Sequence, residues 1–260
     1  IDSFSIDKSL RSLTDNKRWA EEIKLSLNTK KVDYLYKNYD ESEVKFPSNK
    51  EINEVLRQVY SYFKITQTTS GLANEIARKY IFKKLVTIAK NYPKYKDYFK
   101  TDTVDMGGLQ NYLTALESDP SHVAYKFKQA INFLKFSHIK SLNQSQPISI
   151  EKLSKNIQGV ISDNYSSTRP YKTIELIPPP FFTIDILLND GSSFDKLSSG
   201  EKQRIHSINS LVYHLTNLDS VDDSESESGE SEIKYPYVNI FFDEIEMYFH
   251  PDMQRSFIDF

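Results

Sequence analysis

Residues 197–203 read Leu-Ser-Ser-Gly-Glu-Lys-Gln and open a segment with helical periodicity. Ser198 and Glu201 have the spacing of a capping box, in which two side chains satisfy backbone N–H groups at a helix start. Apolar residues then recur at spacings of three and four, which predicts a helix over 201–215. The same turn offers hydroxyl groups, a close backbone and the positive end of a helix dipole to an anion such as a phosphate. The two interpretations are compatible, and the motif alone does not decide between them.

A second motif lies nearer the end of the chain. Residues 237–242 form an almost continuous apolar run that ends in Asp243 and Glu244. Such a run is typical of a strand buried on both faces, and adjacent strand residues face opposite ways. One carboxylate could therefore hold Mg²⁺ while the other orients an attacking water. A pair of exposed acids that closes a strand accounts for the residues about as well.

Weaker patterns predict the surrounding elements. The first 160 residues are predicted to be helical, with helices at 51–64 and 72–92 and a break at 105–108. A third helix is predicted to open at Pro120 and Ser121, with Pro120 in its first turn and its apolar positions over 123–134. Residues 174–176 and 181–188 have the composition of strands, and 220–232 that of a solvated loop. The sequence thus predicts a mixed α/β protein, with a helix-rich arm over 1–160 and a lobe with a small sheet over 161–260.

Charge and composition narrow the classes of function. Residues 1–150 carry 24 basic and 17 acidic groups, whereas 151–260 carry 9 and 19, which suggests two regions with different roles. The chain has no cysteine, so disulfide scaffolds and thiolate zinc sites are excluded. Because no apolar run approaches the ~20 residues of a membrane span, we expect no membrane association and a cytoplasmic setting.

Together the two motifs resemble the C-terminal lobe of an ABC-type ATPase. The chain has LSSGEKQ, then an amphipathic helix, then an apolar strand that ends in DE, and then IEMYFHPDMQ at 245–254. This order of motifs resembles that of the soluble branch, which contains RecF, SMC, OLD-like and AAA-labelled bacterial ATPases. The resemblance covers residues 173–260. It implies a partial P-loop NTPase lobe that carries the signature and Walker B motifs.

The resemblance also implies roles for individual residues. The signature residues Ser198, Ser199 and Gly200 would contact the γ-phosphate of ATP bound to a partner protomer, and Gln203 would also bind the cofactor. Asp243 would support Mg²⁺, and Glu244 would be the catalytic glutamate that polarises water. Glu246 and His250 would lie at the interface of a homodimer with a composite ATP site.

A Walker A loop is missing from the sequence. None of the seven glycines is followed by Lys-Ser or Lys-Thr, as G-x-x-x-x-G-K-[ST] requires. We therefore expect a piece of a larger ATPase that is inactive alone, with the intact enzyme acting in DNA repair or anti-phage defence, together with DNA and an effector protein. The alternative is a non-catalytic interaction module whose helical arm binds a protein partner.

A basic stretch in the arm suggests a nucleic-acid surface. Arg78 to Lys100 contains eight basic residues and one acid, with aromatic residues between them. Three of these residues could contact phosphates, namely Lys79, Lys83 and Lys84, while the aromatic side chains stack on bases. A lysine-covered, solvated helix whose aromatic residues belong to the core is the favoured alternative.

Overall fold

A computed structural model describes residues 17–28, 49–66, 71–100, 103–139, 146–165, 170–222 and 237–241. These residues form helices and short strands, which confirms the predicted mixed α/β class. The chain divides into two compact units. Of the described residues, the sheet unit holds 17–25, 146–153, 184–222 and 237–241, and the helical unit holds the others. The sequence predicts one boundary near residue 160, whereas the chain passes several times between these units.

The helices of the helical unit bury apolar side chains in its core. They are α1 (Asn49–Phe63), α2 (Leu72–Asn91), α3 (Leu109–Ser118) and α4 (His122–Phe136). The buried residues of α1 recur every three or four positions, and they include Ile52, Val55, Leu56, Val59 and Phe63. The helices predicted at 51–64, at 72–92 and after Pro120 are thus confirmed. Ser121 is the N-cap residue of α4, so Pro120 precedes the first turn and the prediction that it occupies that turn is wrong.

A short connection joins α2 to α3. A 3-10 helix over Pro93–Tyr98 leads into a hairpin of β2 (Phe99–Lys100) and β3 (Thr103–Val104). The Asp105 carboxylate then accepts a hydrogen bond from the Gly107 N–H at 3.3 Å, which stabilises a turn before α3. The predicted break at 105–108 is confirmed. The hairpin was not predicted, since two-residue strands are too short to show a period.

A three-stranded sheet contains β1 (Ala20–Leu27), β4 (Ile148–Ser149) and β5 (Phe182–Leu188) in the order β4-β1-β5. β1 and β4 are antiparallel, with Ile23 opposite Ile148. Asn28 N–H donates to Phe181 O at 2.9 Å, and Asn189 N–H donates to Trp19 O at 3.1 Å. Because the end of β1 thus meets the start of β5 and the start of β1 meets the end of β5, these two strands are also antiparallel. β5 confirms the strand predicted at 181–188. The prediction that residues 20–27 are helical is wrong, because this segment gains its hydrogen bonds from β4 and β5.

Residues 170–176 form a link that follows α5 (Ile150–Asp163) and contains a 3-10 turn at Thr173–Glu175. The prediction of a strand at 174–176 is wrong. The carbonyl groups of this segment contact side chains in and just after α4, and not the backbone of a neighbouring strand. Gln129 Nε2 donates to Ile174 O at 2.8 Å, and Asn132 Nδ2 donates to Glu175 O at 2.9 Å. The His138 Nε2 nitrogen lies 2.7 Å from the carbonyl oxygen of Leu176. These contacts fix the link against α4.

An aromatic cluster fills the core of the helical unit where β5 begins. Phe181 is 1 % exposed, and its ring centroid lies 5.5 Å from that of Tyr80 on α2 and 5.5 Å from that of Phe133 on α4. Phe182 also contacts Phe133, at 5.5 Å. The rings meet edge to face, the arrangement that aromatic quadrupoles favour. This cluster therefore packs the start of β5 against two helices.

The sheet unit contains α6 (Ser199–Asp222), which confirms and extends the helix predicted over 201–215. Helix α6 includes residues 220–222 of the predicted loop, and residues 223–232 lie outside the described part of the chain. Residues 237–241 have no regular secondary structure, and Tyr237 and Phe241 are 88 % and 91 % exposed. The prediction of a buried strand there is wrong for these residues. A buried strand needs neighbours that complete its ladder, and no described strand pairs with this segment.

Candidate functional site

The candidate site is the start of α6, where the predicted capping box is present. Glu201 N–H donates to Ser198 Oγ at 3.3 Å. In return, the Ser198 N–H and hydroxyl group donate to Glu201 Oε2 at 2.9 and 2.7 Å. The first turn of the helix is thereby closed by reciprocal hydrogen bonds.

Buried apolar residues hold this helix start on the sheet unit. Leu197, directly before the capping box, and Ile205 in the second turn are buried in one cluster with Phe194. On the outside, the Lys202 ammonium group donates to Asp195 O at 3.0 Å. Since Phe194 and Asp195 belong to the 3-10 turn Phe194–Lys196, the helix start and the turn before it form one packed element.

A tight turn after β5 sets the path of the chain toward this element. Gly191 has φ +75°, a conformation that favours glycine, and its N–H donates to Leu188 O at 2.8 Å. Asp190 accepts a hydrogen bond from Ser192 N–H at 2.9 Å and lies 3.6 Å from the Arg18 guanidinium. Hydrogen bonds from Ser192 and then the charge of Arg18 lower the pKa of the Asp190 carboxyl.

The geometry of the helix start suits an anion. Ser198 and Ser199 are exposed, whereas Gly200 is buried and Gln203 is half-buried. N–H groups in a first helical turn have no intrahelical acceptor, and the dipole of a 24-residue helix places partial positive charge there. The Ser198 hydroxyl group already donates to Glu201, so Ser199 and the backbone are the better candidates to contact a phosphate. An exposed serine and first-turn N–H groups are the kinds of donor that bind phosphate oxygens.

The other predicted site residues, Asp243, Glu244, Glu246 and His250, lie outside the described part of the chain. The structure therefore does not test whether they approach Ser199. Within the described ranges, no group of three or more His, Asp or Glu side chains is arranged to hold a metal ion. The magnesium site stays a prediction that rests on the Asp243 motif.

The predicted nucleic-acid lysines do not share one face of α2. Lys79 pairs with Glu75 at 2.8 Å, and Lys83, one turn later, is half-buried with its pKa lowered by desolvation. Lys84 follows Lys83 by one residue, about 100° around the helix, and its ammonium lies 5.8 Å from the centroid of the Tyr80 ring. Most of the aromatic residues in this basic stretch whose side chains are described belong to the core or stack on a core residue. Tyr80, Phe82 and Tyr95 are buried, and the Tyr98 ring stacks on buried Tyr112. These positions match the core alternative, and nucleic-acid binding stays a prediction.

A buried charge cluster in the helical unit was missed by sequence reasoning. Its members are 1–5 % exposed, and they are Tyr95, Asp119, Lys128 and Glu175. The Lys128 ammonium donates to the carbonyl oxygen of Asp119 and lies 3.4 Å from Glu175 Oε1. The Tyr95 hydroxyl group donates to the Asp119 carboxylate. No sequence signal marks the cluster, because a lysine on an amphipathic helix is normally solvated.

Comparison of the chain with family models, curated proteins and solved structures found no match. Of the helices in the described ranges, none is both long enough and apolar enough to cross a bilayer.

Removal of the Ser198 hydroxyl group should measure the strength of the cap. We expect Ser198→Ala to lower the free energy of unfolding by about 1 kcal/mol, because the N–H of Glu201 loses its acceptor. Urea unfolding followed by circular dichroism measures this change. Ser199→Ala is the matched control, since Ser199 is exposed and takes no part in the capping box; its effect should stay within about 0.5 kcal/mol. Equal losses in the two variants would contradict the assignment of the cap.

The stability of the helical unit should depend on pH through Asp119. Burial alone would raise the pKa of this carboxyl group, but hydrogen bonds from Tyr95 and Ser121 and the charge of Lys94 together hold it below its usual range. A pKa that is lower in the folded state stabilises the protein above the unfolded pKa of about 3.9, and this contribution is lost as pH falls through the folded value.

We therefore expect the stability advantage of the wild type over Asp119→Asn to be constant near pH 7 and to shrink as the pH falls below about 4. Urea unfolding of both proteins between pH 7 and 3 measures it. Taking the difference between them cancels titrating groups that do not interact with Asp119, such as His138, whose burial lowers its pKa. His122 is the exception, because the Asp119 charge raises its pKa against the larger effect of desolvation. A difference that does not change with pH would contradict the assignment.

Proposed function

We propose that this chain provides the signature and Walker B elements of an ABC-type ATPase of the RecF, SMC and OLD-like branch. In the intact protein, ATP and Mg²⁺ would bind at a composite site of a homodimer, and hydrolysis would drive DNA repair or anti-phage defence. The observation that carries the proposal is the start of α6, where exposed Ser198 caps a 24-residue helix whose first residue is the exposed Ser199.

The proposed mechanism assigns each motif one task. Ser199 and the first-turn backbone would bind the γ-phosphate of ATP held by the partner protomer, because aligned N–H dipoles stabilise negative charge. Asp243 would hold Mg²⁺, which neutralises phosphate charge when it is bound. Glu244 would orient the attacking water and accept its proton. The capping box keeps the helix start rigid, so little reorganisation is needed when the phosphate arrives.

ATP turnover of the intact protein tests this proposal. Glu244→Gln keeps the size of the side chain but removes the base, so turnover should fall on the order of 10²–10⁴-fold, while ATP-dependent dimers, measured by light scattering, should persist. Ser199→Arg places a long side chain where the phosphate would bind, and it should abolish both turnover and the dimer.

A serine on another exposed helical surface provides the control. Ser154 lies on α5 and is exposed, so Ser154→Arg should leave turnover and dimerisation unchanged. Wild-type turnover in both Glu244→Gln and Ser199→Arg would contradict the ATPase proposal and would favour the non-catalytic interaction module instead.

A further inference from the structure

A buried histidine just after α4 contacts both the link and α5. The His138 Nε2 nitrogen lies 2.7 Å from Leu176 O, and the Asn156 side-chain amide donates to His138 O at 3.2 Å. The chain reaches this position through Ser137, whose φ of +54° ends α4 in the left-handed conformation. His138 is 8 % exposed, and the centroid of the Phe136 ring lies 6.4 Å from that of its imidazole. Contacts on two sides therefore fix the position of the ring.

The contact with Leu176 determines which ring nitrogen of His138 carries the proton. A carbonyl oxygen can only accept a hydrogen bond, so Nε2 is the protonated nitrogen and Nδ1 is the basic one. In the described part of the chain, the Nδ1 atom is buried and has no hydrogen-bond partner. Protonation of Nδ1 would bury a charge and an N–H group that nothing accepts, which is costly. The contact therefore favours the neutral ring.

The charged side chains around His138 do not favour the protonated ring. The titratable residues nearest in sequence to its contacts, on all three surrounding elements, are Lys135 on α4, Lys152 and Lys155 on α5, and Tyr171, Lys172 and Glu175 on the link. The one carboxylate of this set, on Glu175, lies 3.4 Å from the Lys128 ammonium. Desolvation lowers the pKa of His138, and the Leu176 hydrogen bond opposes this effect only in part.

We propose that His138 is an acid-sensitive clamp, whose neutral ring holds the link against α4 and whose protonation at Nδ1 releases it. Two other contacts of the link come from the amides of Gln129 and Asn132, which do not titrate. Histidine is the side chain whose ordinary pKa of about 6.5 lies between pH 7 and 5. The clamp lies in the helical unit and is independent of the proposed ATP site.

Acid should weaken the clamp in a defined range of pH. The pKa of His138 is lower in the clamped ring than in a released ring, whose pKa is about 6.5. The released state thus binds a proton first as the pH falls, so the clamp is complete above pH 6.5 and weakens through the window below it. For a clamped ring that is still neutral at pH 5, the opening equilibrium rises about 25-fold between pH 7 and 5, which is the upper limit.

Amide hydrogen exchange measures this opening. The N–H groups of Glu175 and Leu176 donate within the link, each at 3.0 Å. Their protection factors, corrected for the intrinsic effect of pH on exchange, should fall by up to about 25-fold between pH 7 and 5. At pH 5 they should also lie below the protection factor of Val59 in the buried face of α1, because the link opens before the helices unfold.

Two substitutions assign the pH dependence to one ring. His138→Gln keeps an N–H donor but cannot titrate in this range, so the fall in protection should disappear. His214→Gln is the matched control, because His214 is exposed on α6, and it should behave as the wild type does. Unchanged wild-type protection, equal protection of the link and Val59 at pH 5, or a pH dependence that survives His138→Gln would overturn the proposal.

Nuclear magnetic resonance of the wild type tests the ring without any substitution. Long-range proton–nitrogen correlation spectra distinguish the two neutral tautomers of histidine from the charged ring. We expect the tautomer protonated at Nε2 for His138 at pH 7, and still at pH 6, where a ring with the ordinary pKa of about 6.5 is mostly charged. A tautomer protonated at Nδ1, or a charged ring at pH 6, would overturn the proposal even if His138→Gln failed to fold.

Discussion

Replacing Lys128 by methionine is expected to lower the free energy of unfolding by about 3–5 kcal/mol. Methionine has nearly the volume and helix propensity of lysine, so the loss measures the charge rather than packing. Lys128 is 5 % exposed, and its ammonium lies 3.4 Å from the carboxylate of Glu175, which is 1 % exposed. Removal of the lysine takes a charged partner away from a carboxylate that water hardly reaches. Urea unfolding at pH 7 measures the loss.

Two further variants separate this effect from a general effect of substitution in α4. Lys126 lies on the same helix but is exposed, so Lys126→Met should change stability by no more than about 0.5 kcal/mol. Replacing both charges in Lys128→Met/Glu175→Gln should recover much of the loss, because no buried carboxylate then remains at position 175. Lys128→Met as mild as Lys126→Met would contradict a role for the buried ion pair.

The elements that sequence predicts well are those with a local cause. In α1 the apolar residues repeat with the helical period over fifteen residues, and the same residues are buried. Likewise, the Ser198–Glu201 spacing predicts a capping box whose hydrogen bonds all lie within four residues. Such features depend little on the remainder of the fold, so they can be derived before the fold is known.

The elements that sequence misses have a distant cause. β1 is an exception, because its apolar residues Ile23, Leu25 and Leu27 alternate with polar ones, a local period-two pattern that is typical of a strand. The turn at Thr173–Glu175 has a strand-like composition, yet its carbonyl groups bind side chains from α4, more than forty residues earlier. Nothing in the local composition indicates these partners.

The candidate site shows the same division. Its first half, the start of α6, could be predicted in detail because a helix start is local. Its second half depends on where a carboxylate-bearing strand lies in a sheet, and Asp243 and Glu244 lie outside the described residues. The exposure of Tyr237 and Phe241 indicates that an apolar run alone does not determine a buried strand, since its ladder partners must also be present.

Replacing Phe181 by alanine should also be strongly destabilising, with an expected loss of about 3–5 kcal/mol. Its ring is 1 % exposed and contacts Tyr80, Phe133 and Phe182 at centroid distances of 5.0–5.5 Å. Alanine would leave a cavity among three rings that α2, α4 and β5 hold in place, so the surroundings can collapse only partly. Phe181 O accepts the hydrogen bond from Asn28 N–H through the backbone, and that contact does not depend on the ring.

Graded substitutions at this position distinguish cavity formation from other causes. Phe181→Leu fills part of the space, so it should destabilise the protein clearly less than Phe181→Ala when both are measured by urea unfolding. Tyr165 is 79 % exposed, and Tyr165→Ala, which removes an aromatic ring of similar size from the surface, should change stability by no more than about 0.5 kcal/mol. If leucine and alanine at position 181 cost the same, the loss would not follow cavity volume, and the aromatic cluster would not be what stabilises the start of β5.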